Sequence, residues 1–110
     1  MAEPISQAHT RNLNNAGANI SNGICTISSI IASNISAAAV FIQIFDAAIA
    51  DVVVGTTRPM FSVPLAATTG FRQINFRRPA LFNRRFSAAA TTTAEGAGDP
   101  GTGVFLQAWI

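Results

Sequence analysis

The sequence predicts an all-β domain of sandwich or barrel type, preceded by an irregular N-terminal arm. Three observations carry this. Short runs rich in Val, Ile and Phe recur at spacings of about 8–12 residues between turn signals, the pattern of such folds. The alanine runs at 37–39, 47–50 and 88–90 favour helix locally, but none sits in a 3.6-residue apolar period of useful length. The chain has 110 residues, of which 49% are apolar, which fits one domain and argues against disorder.

Residues 1–22 are polar and asparagine-rich and show no strand or helix period, so they read as an arm. Asn22-Gly23 is a turn signal that opens a strand over 24–33. Both faces of that strand carry Ile, which predicts cover on both sides. Ala38–Asp46 (AAVFIQIFD) is the strongest strand. Its Val40, Ile42 and Ile44 face is wholly apolar and belongs on the core, with Phe41, Gln43 and Phe45 opposite. The connection over 47–58 has room for a short strand at Val52–Val54. Pro59–Leu65 alternates well, yet Pro59 and Pro64 cannot donate to a ladder, so it is an edge strand or one that ends early. Short strands follow at 71–76, 79–82 and 86–93, then a Gly-rich loop over 94–103 and a closing strand over 104–110, where Trp109 is expected in the core.

Charge is scarce: 11% of residues against about 25% in a typical domain. The seven bases are all arginine, and the net charge of +2 is too small to imply a partner by itself. Residues 12–45 carry no charge, and the most apolar part, 30–48, is about as long as a helical span. It nevertheless contains Ser33, Asn34, Ser36 and Gln43 and lacks flanking bases, so no membrane span is expected. The N-terminus lacks the basic start and apolar core of a secretory signal, and one cysteine, Cys25, excludes an internal disulfide framework.

Few residues could carry chemistry. The single His9, Cys25 and the scattered acids Glu3, Asp46, Asp51, Glu95 and Asp99 show no metal-ligand spacing. Asp46 and Asp51 could share a surface loop, though solvated turn acids are the plainer reading. His9 lies in the arm, and Cys25 lies in a strand, so no nucleophile is paired with a base. The expectation is a chain that is not an enzyme and uses no cofactor.

Arginine is more informative. Arg72, Arg77, Arg78, Arg84 and Arg85 fall within FRQINFRRPALFNRRF (71–86), interleaved with Phe71, Phe76, Phe82 and Phe86. Arg with aromatics and without Lys is the composition of protein interfaces, and it also grips single-stranded nucleic acid. A nucleic-acid protein would add lysines and a larger net charge. The plainer alternative puts the phenylalanines in the core and lets the arginines cap strand ends. Twelve charges cannot dress the surface of so small a domain in the usual way, which points to a subunit covered by neighbours.

The run AVFIQIFDA (39–47), RPMFSVPLAA (58–67), FRRPALFNRRFSAAATTT (76–93) and VFLQAWI (104–110) resembles small virion structural proteins of tailed bacteriophages. The likeness spans 39–110 and is one of strand pattern, with no catalytic motif. It implies a β-sandwich, jelly-roll-like, over 23–110, with the arm over 1–22 reaching a neighbour. It implies a capsid cement or decoration subunit on the capsid exterior that stabilises the major capsid protein shell. Partners would be the major capsid protein and copies of itself, as dimer or trimer, with neither nucleic acid nor membrane. The residues expected at the interface are Arg72, Arg77, Arg78, Arg84, Arg85, Arg11 and Phe82. The alternatives are a tail or baseplate component and a small nucleic-acid-binding β-barrel.

Overall fold

The computed structural model describes residues 7–21, 23–100 and 104–109, with backbone alone at 7–12, 69 and 109. The fold is two four-stranded antiparallel sheets packed face to face, a β-sandwich. The strands are β1 (Gln7–Leu13), β2 (Ala18–Asn19), β3 (Cys25–Asn34), β4 (Val40–Asp46), β5 (Phe61–Leu65), β6 (Thr69–Phe82), β7 (Phe86–Thr91) and β8 (Val104–Trp109). One sheet has the order β1-β8-β3-β6 and the other β2-β7-β4-β5. The pairings nest: β4 with β5, β3 with β6, β2 with β7 and β1 with β8.

The core lies between the sheets. Val40, Ile42 and Ile44 are 1% exposed or less, as their uninterrupted apolar face requires. Val104, Leu106 and Ala108 of β8 meet them from the other sheet side of the sandwich, also fully buried. β7 is buried at all six positions. Its Ala88 and Ala90 belong to the core cluster, while Ser87 and Thr91 on the opposite face are tied down by hydrogen bonds.

Four expectations change. The arm was expected over 1–22, yet Gln7–Leu13 is a strand along β8, from Gln7↔Trp109 to Leu13↔Val104. A polar edge strand is held by its ladder and needs no apolar stripe; Leu13, its one described side chain, enters the core. Ala18 and Asn19 pair with β7, so the rest of the described arm also belongs to the sandwich. Residues 1–6 and 22 lie outside the described residues. In β3 the two-sided cover is replaced by a bulge. Register shifts between Ile27 and Ser29, so the inward set passes from Cys25 and Ile27 to Ile30 and Ala32. Val52–Val54 is no strand: a single 3₁₀ turn spans Ile49–Asp51, and Thr56 and Thr57 both donate to the Val53 carbonyl. The two short strands at 71–76 and 79–82 are one strand, β6, interrupted by a bulge.

β5 is the edge of its sheet, and Pro64 shows why the ladder tolerates it. Its carbonyl accepts from Arg72 Nη1 at 2.6 Å, so it points away from β4. In an antiparallel pair the N and the C=O of one residue face the same side, so the missing N–H also faces outward. Asn34 ties the crossings between the sheets. Fully buried, it donates to the carbonyls of Ala38 and Ala66 at 2.9 and 3.0 Å, and its Oδ1 accepts from the Ser36 N–H and hydroxyl. The segment 92–98 lies over the outer face of the second sheet. Gln43 Nε2 donates to Gly96 O and Thr91 Oγ1, both at 2.8 Å, and the Ser62 hydroxyl donates to Ala94 O.

Candidate protein interface

The arginines close in sequence become a line in space, because most of them sit on one extended strand. Along its partner β3, β6 runs from Arg72↔Ala32 to Phe82↔Cys25 in seven steps of roughly 3.3 Å, so Arg72 and the 83–85 turn lie on the order of 25–30 Å apart. The bulge organises the middle of this line. Ser29 pairs with Asn75 and Ile27 with Ala80, so Phe76–Pro79 stand opposite the single residue Ser28. Phe76 turns half-inward and meets Phe61 of β5 edge-on at 5.8 Å, closing the side of the sandwich. Arg77 and Arg78 stay exposed. Pro79 occupies a place where no ladder N–H is required.

The outer face of the first sheet next to this line is uncharged among its described side chains. Phe71, 75% exposed, packs edge-on against Phe105 at 6.2 Å, over the small Ser33 that pairs with Phe105. Gln73 and Gln107 flank Ile31 in the next row. Leu81 and Ile24 add exposed apolar surface.

At the other end of β6, the turn to β7 is built on Asp46. Its carboxylate accepts the backbone N–H groups of Asn83, Arg84 and Arg85 at 3.1, 2.8 and 3.3 Å. Burial pulls this carboxyl upward, but the three N–H groups and the Arg84 guanidinium outweigh it and hold the pKa below the usual carboxylate value. Asp46 and Arg84 share an open cleft of about 310 Å³ with Asp51, Arg58 and Met60, so the loop proximity of Asp46 and Asp51 is real. Two acids and two bases line it. Asp46 is occupied by backbone donors, and Arg58 leans 3.8 Å from Glu95.

The expected interface residues therefore divide. Arg77, Arg78 and Arg84 are exposed. Arg72 is exposed too, but bonded to the β5 edge. Arg85 is half-buried, and its Nε donates to Ser21 O at 2.7 Å, which makes it a brace between the 83–85 turn and the segment before β3. Phe82 is corrected outright: it is 1% exposed and stacks on Phe86 with centroids 4.8 Å apart, so it is core. Arg11 lies on β1, the far edge of the same sheet, three strand spacings or about 14 Å from β6. Its side chain, like those of His9 and Trp109, lies outside the described ones. The role of Asp46 was not visible in the sequence, because its three donors are 37 to 39 residues away.

Cys25 is buried, and among the described residues no three His, Cys, Asp or Glu side chains gather to hold a metal. Among the described residues no helix is long and apolar enough to cross a membrane. The chain matches no protein-family model, and neither curated proteins nor solved structures show significant similarity to it.

Proposed function

We propose that this chain is a structural subunit of a virus particle, a cement or decoration protein that binds the outside of a capsid shell and works by contact rather than by chemistry. The observation that supports it most is the nesting of the four strand pairs, β1·β8 outside β2·β7 outside β3·β6 outside β4·β5. An antiparallel ribbon wound in this way is a jelly roll, an architecture recurrent in viral capsid proteins. Lectins and cupins share it, so fold alone names no function, and the surface must add to it. The surface favours a protein partner. The exposed bases are arginines suited to directional bonds with carboxylates and carbonyls, and a neutral aromatic face lies beside them. On this reading the shell is the partner, with copies of the chain itself as dimer or trimer around it.

Sedimentation with purified particles tests this. The chain should band with intact shells at a fixed ratio to the major capsid protein, and a wash at high salt should release it. Recovery only in the soluble fraction, at every shell concentration, would overturn the reading. Location on tails alone would replace it with the baseplate alternative.

A further inference from the structure

We infer that the first half of β6, residues 69–75, accepts an extended acidic segment of a different protein as an added strand, with Arg77 and Arg78 holding its carboxylates. This rests on the reading of the chain as a binding subunit and specifies the mode. β6 is the last strand of its sheet, so the side facing away from β3 carries unpaired N–H and C=O groups. Two of the other three described edges are blunted. β2 is two residues long, and β5 carries Pro64 with its outward carbonyl already taken by Arg72. The stretch 69–75 contains neither proline nor lysine; past a register shift between Thr69 and Arg72 it pairs regularly with β3 from Arg72↔Ala32 to Asn75↔Ser29. Strand addition to such an edge is an established mode of peptide capture.

The charge selects the occupant. β6 has no acid anywhere along its length, and Arg77 and Arg78 make no hydrogen bond or ion pair among the described residues. The bulge that begins after Asn75 leaves these two guanidinium groups at the end of the regular stretch, where an added strand would finish. A second copy's β6 would bring these arginines no carboxylate, because the strand carries no acid. An acidic segment meets the opposite charge in either direction.

The test uses the intact chain and a short synthetic peptide alternating Val or Thr with Glu. Its Gln and Lys analogues and a single-stranded oligothymidylate serve as comparisons. Amide exchange read by NMR should show alternate backbone N–H groups within 70–75 slowing at least tenfold in the Glu complex, as ladder formation requires. The double variant R77A/R78A should bind the Glu peptide about tenfold more weakly. Unchanged exchange across 70–75, equal affinity for the Gln or Lys analogue, or preference for the oligonucleotide would each overturn the inference. The two readings separate cleanly. Particle binding without protection of β6 sinks strand addition alone, whereas peptide capture without particle binding sinks the shell reading alone.

Discussion

The Asp46 carboxylate accepts the backbone N–H of Arg84 at 2.8 Å, joining the end of β4 to the β6–β7 turn across 38 residues of sequence. Asn83 and Arg85 add their N–H groups to the same carboxylate, so one side chain serves as the cap for a whole turn. Asp46→Ala should lower stability by about 1–2 kcal/mol at neutral pH, since three donors lose a charged acceptor but remain near water. The folded pKa is depressed, so the contribution is complete above the unfolded value and is lost as pH falls through the folded one. The gap between wild type and variant in chemical denaturation should therefore narrow below pH ~4. A gap that persists unchanged at lower pH would show that the charge is not responsible.

Gln43 sets a second pH-dependent test. It is fully buried, and its amide N donates to carbonyl and hydroxyl oxygens of the 91–96 segment, while its Oε1 has no partner among the described residues. Gln43→Glu replaces the donating amide with a carboxylate facing those acceptors. The substitution should cost at least about 3 kcal/mol at neutral pH. Burial raises the pKa of such a carboxyl, so the penalty applies above the folded value and should shrink on acidification as the group is protonated. Denaturation midpoints at neutral and mildly acidic pH measure this.

Gly17 closes the turn between β1 and β2 at φ +77°, with its N–H on Asn14 O. A Cβ there would stand 2.5 Å from Ile49 Cδ1 and 2.9 Å from the Ala88 carbonyl. Gly17→Ala should destabilise by roughly 2 kcal/mol, combining backbone strain with the clash. Thermal unfolding of the variant is the check. A loss confined to a few tenths would mean that β2 shifts freely to make room.

Phe82 and the two exposed arginines should behave in opposite ways. Phe82→Ala removes a buried ring stacked on Phe86 and should cost about 3–4 kcal/mol of stability. R77A/R78A should leave stability within about 0.5 kcal/mol of wild type, because both side chains extend into solvent. Equal losses in the two variants would contradict the division of the sequence cluster into core and surface.

Alternation of large apolar residues was enough to place β4, β5 and β8. Val40, Ile42 and Ile44 can bury only one way, and Pro64 admits β5 only where no donor is needed. Elements whose reason for existing is a remote partner were invisible. β1 is polar and held by the ladder of β8 at the other end of the chain, and the one signal near it was the Asn14–Gly17 turn. Phe76 continues the inward alternation of Ile74 and meets Phe61 of the opposite sheet; what no local period records is the bulge that sets 76–79 opposite the single residue Ser28. The arginine cluster is the clearest case. Proximity in sequence suggested a patch. An extended strand instead spreads it into a line, and burial then assigns Phe82 to the core and half-buries Arg85 as a brace, leaving Arg77, Arg78 and Arg84 in the solvent.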